Sequence, residues 1–209
     1  MLDKNRHKRI RLLLKKLNKE RKVQAEKIDI LCKDLIGAQR SFIKRLKIID
    51  FKAHFYESII GKTDLDNLLC TSVEMIREEI PKANIIFFLR QAETWEPHFF
   101  ESEQAVPLEK QFFEKSFTPE LMDNICASNE ICRIDDMFAM GLHGNPKDFG
   151  KISALAVPMN SPDTSLGFIF IYRSKENKIS NYEISNISAI ACGLFRAISS
   201  CQALLHSSK

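Results

Sequence analysis

Residues 150–159 read GKISALAVPM, and residues 166–174 read LGFIFIYRS. Both stretches are short and almost continuously apolar, which is typical of strands buried on both faces of a sheet. Residues 160–163 between them read NSPD, and these residue types favour a turn. We therefore predict two neighbouring antiparallel strands, at residues 152–159 and 166–173.

The chain upstream of this pair alternates between further strands and helices. Residues 84–89 read NIIFFL and predict another strand buried on both faces, with residues 95–101 as its hairpin partner. Residues 131–134, ICRI, predict a fifth strand, and residues 135–150 predict a long irregular loop. Four helices are also predicted. The first covers residues 63–80 and is capped by Thr63, and the second covers residues 107–117. The third begins after the cap Thr118, and the fourth begins after the capping box Ser180–Glu183.

The first 50 residues predict a long helix with an apolar seam. From residue 8 to residue 60 there is no proline, and a spacing of alternately three and four residues selects mostly apolar side chains. Burying such a seam against a second copy predicts a parallel two-stranded coiled coil. The apolar seam residues assigned to the interface are Ile10, Leu14, Leu17, Ile28, Leu31, Leu35, Phe42 and Ile49; Arg21, Gln24 and Arg45 occupy the polar positions.

The charge of the chain is concentrated at its N-terminus. The formal net charge is +4 over 209 residues. Residues 1–22 hold ten Lys or Arg against Asp3 and Glu20, which gives +8, so the remaining residues carry −4. A basic helix end predicts contact with nucleic acid, an anionic membrane surface or an acidic protein, and the alternative is a solvated helix end.

Several classes of protein are disfavoured by what the sequence lacks. It has no secretory signal at its start and no run of about 18 apolar residues, so a cytoplasmic location without a transmembrane segment is expected. The six cysteines form no C-x-x-C pair and no zinc-finger spacing, so no metal site is expected. There is no Gly-rich phosphate loop and no catalytic Ser/His/Asp pattern, so we expect no enzyme, and no cofactor is indicated.

The strand GKISALAVPM, the strand LGFIFIYRS and residues 129–136, NEICRIDD, resemble the GAF domain. The capped helix at residues 182–206 matches the terminal dimer helix of that family. The resemblance covers residues 51–205 and implies an α+β fold: a central antiparallel sheet of five to six strands, helices on both faces, and a long coiled-coil helix in front. We accordingly expect a basic coiled-coil helix at residues 1–50 and a GAF-like domain at residues 51–209.

The resemblance transfers only a class of function. The Asn-Lys-x-x-x-Phe-x-x-x-Asp-Glu signature of cyclic-nucleotide-binding GAF domains and the Cys-His pair that anchors bilins are both missing. The expected function is a dimeric sensory or regulatory module that binds a small ligand or senses redox state, and signals through helix packing to a downstream protein partner. The alternatives are a structural dimerisation scaffold without ligand, and an adaptor that binds nucleic acid or anionic surfaces through residues 1–22.

The ligand pocket is expected on the sheet face under the helical insert and the 135–150 loop. His143, between two glycines, is the candidate ligand contact or haem-iron ligand, against the alternative of an exposed loop histidine. Arg133 is a candidate contact for an anionic ligand, against the alternative of a solvent-facing side chain. Asp135 and Asp136 are candidates for paired carboxylates, against the alternative of turn residues at the end of a strand. The full set of candidate ligand-binding residues is Phe88, Cys132, Arg133, Ile134, Asp135, Met137, Met140, His143 and Ser153.

Two further sets of residues are assigned roles. Cys126 and Cys132 are the redox candidates, because some GAF-like proteins reduce free methionine sulfoxide with cysteines in this region; that chemistry needs an accessible thiolate of low pKa. On the last helix, a second apolar stripe with helical spacing predicts a further part of the dimer interface. Its residues are Ile184, Ile187, Ala191, Leu194 and Ile198.

Overall fold

The computed structural model divides the chain into two units, Met1–Ile49 and Asp50–Lys209. It describes residues 2–91, 94–102, 110–161 and 164–207. Parts of the predicted helix at 107–117 and of the predicted turn at 160–163 lie outside the described residues. Each unit is considered by itself below.

The first unit is helical. Helix α1 spans Leu2–Ile59, and residues 6–47 of it are exposed throughout. Its apolar side chains are no exception: the eight seam residues are between 48% and 66% exposed. The long helix predicted ahead of the domain is therefore confirmed, and its apolar seam has no cover within this unit.

The second unit is built on a five-stranded antiparallel sheet, as the sequence predicts. The strands are β1 (Asn84–Gln91), β2 (Thr94–Phe100), β3 (Cys132–Arg133), β4 (Ile152–Asn160) and β5 (Ser165–Ser174). Their order across the sheet is β2-β1-β5-β4-β3. The quoted stretches at 152–159 and 166–173 are the neighbouring strands β4 and β5.

Six helices accompany the sheet among the described residues of this unit. They are α2 (Leu65–Glu79), α3 (Lys110–Ser116), α4 (Pro119–Ser128), α5 (Ile134–Ala139), α6 (Pro146–Phe149) and α7 (Asn181–Ser207). The N-cap of α2 is Asp64, whose Oδ2 accepts from the backbone N of Asn67 at 2.9 Å, and not Thr63 as predicted. The predicted loop at 135–150 is also wrong in part, because it holds the short helices α5 and α6.

Successive residues of the strands enter two separate cores on opposite faces of the sheet. In β5, Ile169 and Ile171 point to one face, where they pack with α2, α7 and the end of α1. Phe168, Phe170 and Tyr172 point to the other face, where they pack with α3, α4 and α5. The prediction of helices on both faces is confirmed.

Helix α7 contributes its apolar stripe to the first of these cores. Ile187, Leu194 and Ile198 are 0% exposed and Ala191 is 8% exposed, because they pack in the core of their own chain. Of the five residues assigned to a dimer interface on α7, Ile184 alone is half-buried at the margin of that core, and the interface stays a prediction. Residues 181–204 are long and apolar enough to cross a membrane by length and composition alone, and 33% of their most apolar stretch is buried within the chain.

The end of α1 and α7 approach each other closely at Gly193. A Cβ on Gly193 would lie 2.2 Å from Tyr56 Cε1, so only glycine admits the tyrosine ring at this point. The Tyr56 hydroxyl donates to the carbonyl oxygen of Ala189 at 3.3 Å, one turn earlier on α7. The ring and the hydroxyl together fix the contact between the two helices.

Candidate functional site

The sheet face under α3, α4 and α5 is filled by aromatic rings. Phe88 stacks on Phe117 at a centroid distance of 5.1 Å and on Phe168 at 4.8 Å. Phe113 packs against Tyr172 at 5.3 Å. All five of these side chains are at most 3% exposed. The face on which a ligand was expected is thus packed with protein side chains.

Tyr172 brings a hydroxyl into this apolar cluster. Burial raises the pKa of Tyr172 to about 12, and a hydrogen bond with the Asn84 side chain opposes part of that shift. Asn84 in turn accepts from the backbone N of Ser102 at 2.7 Å through its Oδ1. The side chains of Tyr172 and Asn84 are thus hydrogen-bonded within the protein, as buried polar groups in a core usually are.

An open cavity lies instead at the β3–β4 edge of the sheet. It measures about 450 Å³, and we call it the β4 cleft. Strand β3 is only two residues long because α5 begins at Ile134, and the Asp136 carboxylate caps that start by accepting from the backbone N of Arg133 at 2.8 Å. The cleft is lined by Arg133, Ile134, Asp135, Phe138, Phe149, Gly150, Ile152, Ser153, Ala154, Leu155, Lys175, Ile179 and Ile184.

The wall of the β4 cleft is tied to the start of α7. The backbone N of Ile179 donates to Ser153 Oγ at 3.2 Å, and both residues line the cleft. Arg133 Nη2 donates to Asn181 Oδ1, in the first residue of α7, at 2.9 Å. Glu183 accepts from the backbone N of Ser180, which confirms the predicted capping box.

A buried ion pair supports the same helix start from the neighbouring strand. Arg173 Nη2 lies 2.9 Å from Glu183, and both side chains are largely buried. Arg173 also donates to the carbonyl oxygen of Lys178 at 2.9 Å, in the link between β5 and α7. The link to α7 and the first turn of that helix are therefore held by side chains of β3, β4 and β5.

The architecture is similar to that of solved GAF domains. The chain matches the GAF domain/HD domain protein from Geobacter sulfurreducens with a TM-score of 0.52 and 17% identity, over 69% of this chain and 98% of that one. It matches the GAF domain from a phosphoenolpyruvate-protein phosphotransferase from Coxiella burnetii with a TM-score of 0.54 and 14% identity, over 76% and 96%. The chain has the GAF fold.

A third similar structure is the GAF domain of a two-component sensor histidine kinase from Bacillus halodurans. Its TM-score is 0.50 at 14% identity, over 68% of this chain and 99% of that one. No protein-family model matches the chain, and no curated protein matches it. At these identities the likeness establishes the GAF fold and does not name a ligand.

The predicted ligand-binding residues of this GAF fold separate into three groups. Four of them line the β4 cleft: Arg133, Ile134, Asp135 and Ser153. Three are buried in the ring-filled face, namely Phe88, Cys132 and Met137, with the half-buried Met140 packed at its margin. His143 is exposed, and its backbone N donates to the carbonyl oxygen of Ser116 at 3.3 Å.

The two redox candidates are buried in the ring-filled core. Cys126 is 5% exposed and Cys132 is 2% exposed. Burial raises the pKa of both thiols above the usual value, although hydrogen bonds with Ser165 and Ser128 respectively oppose the shifts. Thiol chemistry needs an accessible thiolate of low pKa, and this environment provides the opposite.

Metal ligation finds no support in the described part of the chain. No group of three or more His, Cys, Asp or Glu side chains there is arranged to hold a metal ion. The β4 cleft, with its charged and apolar wall, is the remaining candidate site of this GAF fold.

Sequence reasoning missed both the packing of the predicted pocket and most of the residues that line the cleft. The alternation in residues 168–172, FIFIY, places three rings on one face of β5, and this signal could have indicated a filled face. Phe149 lines the cleft from α6, and Lys175 and Ile179 line it from the link between β5 and α7. No local pattern marks them, because their proximity depends on how β4, α6 and α7 assemble.

Proposed function

We propose that this chain is a dimeric regulatory module of the GAF fold that binds a small molecule in the β4 cleft and signals through helix packing to a partner protein. The position of the cleft carries this proposal. Ile179 and Ile184 form part of its wall, so a bound molecule touches the link to α7 and its first turn. Because Ser153 already holds the link and Arg133 holds the first turn by hydrogen bonds, an occupant alters the support of both.

The dimer is proposed through the seam of α1. Each of its eight apolar residues is about half exposed or more, and burying a leucine, isoleucine or phenylalanine stabilises a protein by roughly 1.5–3 kcal/mol. A parallel pairing with a second copy covers all eight at once. We further propose a cytoplasmic location and a non-enzymatic role, in keeping with GAF-fold relatives that include part of a two-component sensor histidine kinase.

Native mass spectrometry of the freshly purified protein tests the ligand part of this proposal. We expect two chains carrying one small extra mass per chain. An Ile184→Trp variant, which fills the cleft from α7, should lose that mass. An Ile60→Trp variant should keep it, because Ile60 is 76% exposed and does not line the cleft. The contrary outcome is a dimer without extra mass that also retains no small molecule in a metabolite screen. That outcome would favour the structural scaffold.

A second function, binding to nucleic acid, is favoured by the distribution of charge around α1. At 100° per residue, Ile10, Leu14 and Leu17 lie on one side of the helix. The opposite side carries a row of cations: Lys8, Arg11, Lys15, Lys19 and Lys22. If the apolar side pairs with a second copy, the cations face outward, where they suit the phosphate backbone of a duplex.

Salt dependence distinguishes this second function from a solvated helix end. The logarithm of the association constant for a fluorescent DNA duplex should fall linearly with the logarithm of the salt concentration. Changing Lys15, Lys19 and Lys22 to Gln should reduce the slope by about one for each lysine that contacts a phosphate. The matched control changes Lys33, Arg40 and Lys44 to Gln. Binding that is equal in both triple variants, or that occurs only with anionic vesicles, rules out this nucleic-acid role.

A further inference from the structure

The charged groups of the β4 cleft are unevenly balanced. Arg133 and Lys175 line it together with a single carboxylate, Asp135. Among the described residues, neither cation has a carboxylate oxygen within 4 Å, whereas Arg173 nearby is paired with Glu183. Arg133 Nη2 is fixed by Asn181 Oδ1 at 2.9 Å, which positions the guanidinium without neutralising it. The cleft therefore presents an excess of positive charge.

The remainder of the wall is apolar. Phe149, Ile152 and Leu155 form a part of it that is at most 4% exposed. Ile134, Phe138 and Ile184 surround this part as half-buried side chains. A volume of about 450 Å³ lies within the range of small-molecule sites, roughly 300–1,000 Å³. A molecule that matches the wall has an apolar body as well as a charged group.

We propose that the β4 cleft binds a small amphipathic anion. Its carboxylate, sulfonate or phosphate group meets Arg133 and Lys175, and its apolar body packs against Phe149 and Ile152. Charge-assisted hydrogen bonds to a guanidinium are stronger than those between neutral groups, so the anionic group contributes affinity as well as orientation. This inference rests on the proposed function and adds the chemical class of its ligand.

The rings that fill the sheet face under α3, α4 and α5 strengthen the assignment. Phe88, Phe117 and Phe168 stack where a ligand would otherwise reach the centre of the sheet. A molecule bound to this unit is therefore directed to the sheet edge, within reach of the exposed cations. The negative charge of Asp135 disfavours an anion in the cleft. Removing that charge should therefore tighten binding of an anion, whereas removing the cations should weaken it.

Two matched fluorescent probes test the proposal on the full chain. The anionic probe is 1-anilinonaphthalene-8-sulfonate, and its uncharged counterpart is N-phenyl-1-naphthylamine. We expect the anionic probe to bind more tightly, and the double change Arg133→Gln and Lys175→Gln to weaken it by about tenfold or more, or about 1.4 kcal/mol. The uncharged probe should respond little to that change. Asp135→Asn should tighten binding of the anionic probe.

The controls distinguish two questions: whether the ligand is an anion, and whether the cleft binds a ligand at all. Lys178→Gln with Arg196→Gln removes the same charge from exposed positions outside the cleft and should leave both affinities unchanged. Ile184→Trp should block both probes at the cleft. If it does so while the Arg133/Lys175 change has no effect, the ligand class is wrong and the cleft remains a site. If Ile184→Trp leaves all binding unchanged, or no probe binds, the cleft is not a ligand site and both proposals fail.

Discussion

The Gly167→Ala variant is expected to lose most of the stability of the GAF-fold unit. Gly167 lies in β5 opposite Leu89 of β1 and has a φ of +139°, which an alanine tolerates poorly. A Cβ at this position would lie 1.9 Å from the carbonyl oxygen of Phe88, so the central pair of strands would have to separate. Backbone strain and overpacking together cost roughly 4 kcal/mol. Denaturant unfolding followed by circular dichroism measures the loss.

Gly37→Ala is the matched control for this change. Gly37 lies within α1, and a Cβ there would meet nothing within 4 Å. Replacing glycine by alanine inside an exposed helix stabilises that helix by about 1 kcal/mol. The two variants carry the same chemical change with opposite expected signs. A Gly167→Ala protein as stable as the unmodified chain would contradict the described β1–β5 contact.

The double change Leu31→Asp and Leu35→Asp is expected to convert the dimer into single chains. Both side chains are 60% exposed or more in the single chain, and pairing would bury both from each protomer. Each buried leucine contributes roughly 1.5–3 kcal/mol, and a buried, unpaired carboxylate adds a further penalty. Light scattering during gel filtration should give twice the chain mass for the unmodified protein and the chain mass for the variant.

The control places the same two aspartates on the opposite side of the helix. Lys33→Asp and Arg40→Asp lie away from the seam at 100° per residue, so this variant should remain a dimer. Circular dichroism of all three proteins reports whether the helix itself survives. A single chain mass for the unmodified protein would refute the proposed seam, and so would a Leu31/Leu35 variant that keeps twice the chain mass.

The sheet was predictable because its signals are local. The runs at 84–89, 152–159 and 166–173 are short, apolar and bounded by turn residues, and each is a strand. The 135–150 region was less predictable, since α5 has six residues and α6 has four, too few for a helical period to emerge. The start of α2 differed because Asp64 outcompetes Thr63 as the cap.

The candidate site was predictable only in part. Arg133, Ile134 and Ser153 lie within predicted strands and Asp135 directly follows one, and all four line the cleft. The expected pocket on the sheet face was not predictable as a cavity, because whether rings fill a face depends on side-chain packing between α3, α4 and β5. The stripe on α7 illustrates the same limit: a helical apolar period identifies a buried face without identifying what buries it.

The contact of Tyr56 with Gly193 has a mechanical consequence. Cys192 and Leu194 flank the glycine and lie about 100° to either side of it around α7. Screwing α7 forward or backward by one residue would therefore turn a side chain toward the tyrosine ring, where a Cβ meets the ring atoms. The hydroxyl bond to Ala189 adds a second point of attachment, one turn away. Together the two contacts oppose rotation of α7 about its own axis and set its rotational position against residue 56.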